Sequence, residues 1–359
     1  MRASTPKSEA ALFVFDPEQM KPGDVMLEKG DGWTSKAIMM GDGGGYSHAL
    51  IYVGESSFVE AVPSAVRIIT STRVLIDDPS RWTVLRLVDD AHAGEIAARQ
   101  ARMMVHAKYS VKGALGSVVP FATNARDGGI FCSRLVAEAY ARAGVNLVDG
   151  IDAAKVTPAG LQFSSRFTEL APPLMEVPAD ERETLTEHLD RDAKYVGSPR
   201  HRELVVSQRI FRKLHKGIRK LAKPETPNLP FPPRNLNELL NILGSDTSPT
   251  ASHIADRIMR EFEATDYFSL WHAPLREVRN TIAEEVKRSR DPEDRRAIQR
   301  TLAPDDTRAR QERNRHTLAS YYAATRHPIW LMLIEAHMET ERILADIAGL
   351  TAKIGVENP

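Results

Sequence analysis

The sequence predicts an α+β protein: a domain with an antiparallel sheet over residues 1–175, followed by a mainly α-helical domain over 176–359. Three observations carry this reading. Up to residue 88, short β-branched and aromatic runs alternate with tight turns, the pattern of strands. Beyond residue 176, apolar residues recur every three or four positions, the pattern of helices. An Ala-Pro-Pro at 171–173 marks the change. The length of 359 residues fits two domains of about 150 residues or somewhat more.

The elements follow in order. Val25-Met26-Leu27 comes after a Lys-Pro-Gly-Asp turn, and Ala49 to Val53 is an apolar run ended by Gly54. Phe58 to Val62 follows a short polar turn, and Arg81 to Val88 is again β-branched and aromatic. Glu95 to Lys108 has helical spacing, and Ser133 to Ala143 forms a second helix stopped by Gly144. In the second half, helices are predicted near 180–195, 201–222, 235–243, 250–264, 269–289, 292–302, 307–325 and 328–352. The Pro-rich segment 224–233 is a stiff linker between a basic arm, 201–223, and a bundle. Asp291-Pro292-Glu293-Asp294 and Asp305-Asp306 read as helix starts, and Tyr267, Phe268, Trp271 and Trp330 as bundle core.

Composition excludes several classes. Forty-eight Lys and Arg balance 48 Asp and Glu, which argues against a strongly basic nucleic-acid binder. No apolar stretch approaches the roughly 20 residues of a membrane helix. The patch Ala10 to Phe15 is too short for a signal-peptide core. One cysteine excludes an internal disulfide or a cysteine zinc cluster and fits a reducing compartment, so a cytoplasmic protein is expected.

The chemistry gathers on three residues. Cys132, in Gly-Gly-Ile-Phe-Cys-Ser-Arg-Leu-Val, falls at the first turn of the 133–143 helix. A helix N-terminus carries partial positive charge and unpaired N–H groups, which favour a thiolate and can hold an oxyanion. Gly128 and Gly129 before it allow close backbone approach. His48 is delivered by the loop Gly43-Gly44-Gly45-Tyr46-Ser47 to the start of a strand, a rigid mount for a general base. Glu60 is a charge inside the apolar run Phe58-Val59-Glu60-Ala61-Val62 and requires a partner. A hairpin pairing Val53 with Phe58 puts His48 and Glu60 on opposite faces. A three-residue turn at 54–56, pairing Val53 with Ser57, puts them on the same face. Taken singly, each residue also has a plain structural reading: a buried small thiol, a packing histidine and an exposed strand glutamate.

Together these segments resemble the circularly permuted papain-like cysteine hydrolases, relatives of the NlpC-type enzymes, in the YiiX/YaeF-like branch. The likeness spans about residues 20–170 and rests on Pro22-Gly23-Asp24-Val25-Met26-Leu27, the strand from Gly45 through His48 to Gly54, and Phe58-Val59-Glu60-Ala61. Lys108-Tyr109, Phe131-Cys132-Ser133-Arg134-Leu135-Val136 and Val156-Thr157-Pro158 complete it. Lecithin:retinol acyltransferase-like proteins share the permutation but carry a second histidine at the place of Glu60 and Asn-Cys-Glu-His at the place of 131–134. The resemblance implies Cys132 as nucleophile, His48 as proton acceptor and donor, and Glu60 as the group orienting the histidine. The Cys132 N–H would serve an oxyanion hole, with Tyr46, Ser47 or Tyr109 as second donor.

The expected activity is hydrolysis of an amide, peptide-like bond through a thioacyl-enzyme. A lipid-directed acyl hydrolase or acyltransferase, and a binding protein on a degenerate hydrolase fold, are the competing readings. No cofactor or metal is called for. His327 and His337 have no accompanying ligand pair at metal spacing. The expected partner is an amide- or acyl-bearing substrate, with no specific nucleic acid. Residues 209–223 carry seven basic side chains and no acidic one, with Ile210, Leu214, Ile218 and Leu221 at helical spacing. Such a helix either lies on an anionic membrane surface or contacts nucleic acid, or it packs its apolar stripe on a neighbour; packing is the favoured reading.

Overall fold

The structure, a computed structural model, describes residues 11–88, 90–109, 130–179, 181–182, 196–224, 230–288 and 306–356; the side chains of 33, 34, 285–288, 306, 308 and 351–356 are not described. The predicted helices at 180–195 and 292–302, the capping run 291–294, the glycines 128 and 129 and the middle of the Pro-rich linker lie wholly or almost wholly outside these residues. The fold is α+β. The chain divides into two compact units, Met1–Lys194 and Tyr195–Pro359.

The strands and helices of the first unit are β1 (Phe13–Phe15), β2 (Val25–Glu28), α1 (Trp33–Asp42), β3 (His48–Tyr52), β4 (Ser57–Val62), β5 (Ala65–Thr70), β6 (Trp82–Leu87), α2 (Ala91–Met103), α3 (Cys132–Arg142), α4 (Pro158–Gln162), β7 (Phe167–Leu170) and β8 (Leu174–Glu176). The main sheet has the order β5-β4-β3-β2-β6-β7, antiparallel throughout. β1 pairs with β8 in a separate two-stranded sheet. This pairing carries the first unit past residue 175, and Arg182 continues it by bonding the Val177 carbonyl and the Glu176 carboxylate.

Both faces of the sheet are covered, which explains why β3 reads as an unbroken apolar run. Ala49, Ile51 and Val59 pack with the alanines of α2 and with Leu135, Val136 and Tyr140 of α3. Leu50, Tyr52 and Phe58 pack on the other side with Phe15, Ile76 and Trp82. Gly23 lies so close to Gly94 that an added Cβ would stand 2.6 Å from the Gly94 Cα. The Tyr140 hydroxyl donates to the Gly23 carbonyl at 2.6 Å, tying α3 to the strand entry.

The second unit contains α5 (Pro199–Ile218), α6 (Leu236–Leu243), α7 (Pro249–Glu263), α8 (Tyr267–Arg288), α9 (Asp306–Thr325) and α10 (Ile329–Val356). Their starts carry the expected caps: Ser198, Asn235 and Ser248 each accept the N–H three residues on. Ile210, Leu214, Ile218 and Leu221 are buried with Leu239, Ile254, Phe262 and Trp330. The apolar stripe of the basic arm therefore packs inside the unit. Phe262, Tyr267, Phe268 and Trp271 stack and tilt against one another as a core aromatic cluster. No helix among the described residues is long and apolar enough to cross a membrane.

Candidate active site

β3 and β4 pair Leu50 with Glu60 and Tyr52 with Phe58, and the Val53 N–H donates to the Ser57 carbonyl at 2.9 Å. This is the same-face register, made by a three-residue turn. Gly54, Glu55 and Ser56 have φ of +82°, +57° and +49°. Such a run costs least when a glycine supplies part of it.

The register brings His48 Nε2 to 2.9 Å from Glu60 Oε2. Glu60 is 1 % exposed, a costly position for an unpaired carboxylate. Its partner on the far side is Arg67, directly opposite in β5, which donates to Oε1 from Nε at 2.8 Å and lies 2.7 Å away through Nη2. One carboxylate oxygen thus serves the arginine and the other the histidine.

Cys132 is the first residue of α3 and nearly buried. Its side chain lies close enough to the His48 ring to act on its titration. With Nε2 engaged by Glu60, Nδ1 is the ring nitrogen left for the sulfur. Burial opposes a charged imidazole here. The influence of Cys132 and of the bonded Glu60 carboxylate outweighs it and pushes His48 up to about 10. The result is a chain of bonds His48–Glu60–Arg67 across β3, β4 and β5, with Cys132 of α3 near its histidine end.

Both ends of the Cys132–His48 contact are fixed through the short helix α4. The Ser133 hydroxyl donates to the Val156 carbonyl at 2.8 Å, and Thr157 caps α4 by accepting the Gly160 N–H at 3.0 Å. Asp42 accepts the Gly44 N–H at 3.1 Å and the Ala159 N–H at 3.0 Å, while the Gly45 N–H donates to Gln162 Oε1 at 2.8 Å. A Cβ on Gly44 would stand 2.8 Å from that of Ala159, so the loop before His48 needs glycine there.

The three candidates for a second oxyanion donor separate. The Ser47 hydroxyl is committed to the backbone, accepting the Gly30 N–H at 3.0 Å and donating to the Glu28 carbonyl at 3.4 Å. Tyr46 lies by Thr83 and Glu169, and burial and the Glu169 charge raise its pKa. Tyr109 lies near the thiol: burial, then the charge of Cys132, raise its pKa, so its hydroxyl stays protonated and able to donate.

Arg67 is the site residue that sequence reasoning missed. Its signal is a charge inside the run Ala65-Val66-Arg67-Ile68-Ile69, matching the charge inside β4. His327 and His337 have structural partners. His327 Nε2 bonds Asp256 Oδ1 at 3.1 Å and its Nδ1 accepts the Ile329 N–H at 3.2 Å, and His337 bonds Gln311. Among the described residues, no group of three or more His, Cys, Asp or Glu is arranged to hold a metal ion.

No family model and no curated protein matches the chain. Among solved structures, the chain is similar to one titled the crystal structure of metalloprotein yiiX from Escherichia coli O157:H7. The identity is 16 % and the TM-score 0.34, over 43 % of this chain and 98 % of that one.

Proposed function

We propose that this chain is a cysteine hydrolase that cleaves an amide, peptide-like bond through a thioacyl-enzyme. The observation that carries the reading is one imidazole held 2.9 Å from the buried Glu60 carboxylate and under the influence of the Cys132 side chain. The family resemblance supports the same assignment.

In the first half-reaction His48 holds the proton of Cys132, and the sulfur attacks the carbonyl carbon. The oxyanion meets the Cys132 N–H, one of the donors a helix start leaves unpaired. Collapse breaks the C–N bond, and the amine leaves with the proton from His48. Water then attacks the thioester. His48 takes its proton, the C–S bond breaks, and the acid and free thiol are released. Glu60 keeps the ring oriented and balances the imidazolium, while Arg67 holds Glu60.

The test is turnover by the full-length protein of peptide-like coumarin amides beside acyl esters. Amide cleavage lost in Cys132→Ala is the expected result. Turnover unchanged in Cys132→Ala would overturn the proposal, and Cys132-dependent cleavage of acyl esters alone would favour the lipid-directed reading. Tyr109 has its own expectation. As an oxyanion donor, Tyr109→Phe lowers kcat by about 100-fold, leaving KM and thiol alkylation nearly unchanged. As packing alone, it leaves kcat within a few-fold.

A further inference from the structure

The basic arm has a second face. On α5, Arg202, Val205, Arg209, Arg212, Lys213 and Lys216 are exposed. At 3.6 residues per turn they fall within an arc of about 100°, along roughly 21 Å of helix. The turn after α5 adds exposed Arg219 and Lys220, with exposed Lys223 just beyond. Lys213 pairs with Glu261 at 2.6 Å, and Arg257 bonds its carbonyl at 2.9 Å. Among the described residues, Arg202, Arg209, Lys216, Arg219, Lys220 and Lys223 have no ion-pair partner. In a chain of zero net charge this is a marked local segregation.

We infer that this face docks on an anionic lipid surface. The opposite stripe, Ile210, Leu214 and Ile218, is buried in the unit's own core, so the helix cannot insert into a bilayer as a free amphipathic helix does. What remains is a convex rod of cations, which meets a flat sheet of anionic headgroups along its length. Clusters of four to eight Lys or Arg on one helix are the footprint of such binding. A nucleic acid is the less suited partner: the arc holds no Asn, Gln, Ser or Thr to read base edges and no aromatic side chain on which bases stack. The inference concerns the second unit alone and does not rest on the proposed chemistry.

The experiment is co-sedimentation of the full-length protein with phosphatidylcholine vesicles, with and without phosphatidylserine, read beside its binding to a DNA duplex. Binding to the phosphatidylserine vesicles alone is expected, and it falls steeply with salt because screening shortens from about 8 Å at physiological strength to about 3 Å at 1 M. At about fivefold per cation near the surface, Arg209→Gln/Arg212→Gln/Lys216→Gln weakens it by roughly 100-fold. These side chains are exposed, so the variant's helicity and melting midpoint should match the parent's. If they do not, Lys220→Gln/Lys223→Gln, outside the helix, should still weaken binding by at least tenfold. Equal sedimentation with neutral vesicles, indifference to both variants, or duplex binding without vesicle binding would each overturn the inference.

Discussion

Replacing Arg67 by leucine is expected to destabilise the first unit by about 3–5 kcal/mol, the usual cost of breaking a buried ion pair from one side. Both side chains are 2 % exposed, so neither charge can turn to water. Loss of the guanidinium leaves the Glu60 carboxylate with a desolvated charge, and its cheapest response is to take up a proton. A neutral Glu60 no longer balances the His48 imidazolium, so the thiol loses support as well as the fold. The double variant Arg67→Leu/Glu60→Leu removes both charges together and should recover a large part of the lost stability, since well-packed apolar groups replace buried pairs at little cost. Urea unfolding of the three proteins checks this. A single variant within 1 kcal/mol of the parent, or a double variant no better than the single, would mean that the pair is not buried as described.

Much of the site was legible because its geometry reduces to sequence arithmetic. The spacing of His48 and Glu60 left two registers, and the Gly54 turn selects the one that joins them. Cys132 could be assigned to a helix start because the Ala-rich run after it is strongly periodic and ends at Gly144. Other parts were hidden for physical reasons. In α1 the apolar residues Ile38, Met39 and Met40 are consecutive rather than periodic, and Met40 is 87 % exposed, so no amphipathic pattern announces the helix. β5 carries Arg67 in its middle, and a lone charge reads as the end of a strand until its partner across the sheet is known. β7 and β8 are short and half polar, stabilised by their neighbours rather than by propensity. The apolar stripe of the basic arm was visible as spacing, but its covering by α7 and α8 is tertiary.

The second large effect concerns the thiol. The chain has one cysteine, so every thiol signal comes from Cys132. With His48 raised from its ordinary 6.5 to about 10, the ring is an imidazolium throughout the neutral range and loses its charge only as pH rises through that higher value. A positive ring beside the sulfur supplies a counter-charge to the form that reacts with alkylating agents. His48→Ala removes the charge and leaves a small space that water can enter. Activation of the thiol by His48 is read from the alkylation rate of folded protein against pH, in the parent and in His48→Ala. Rapid alkylation of the parent at neutral pH is expected, with a rate at least tenfold lower in the variant and the two profiles converging in strongly alkaline solution. Slow alkylation of the parent, or a rate indifferent to His48, would contradict it.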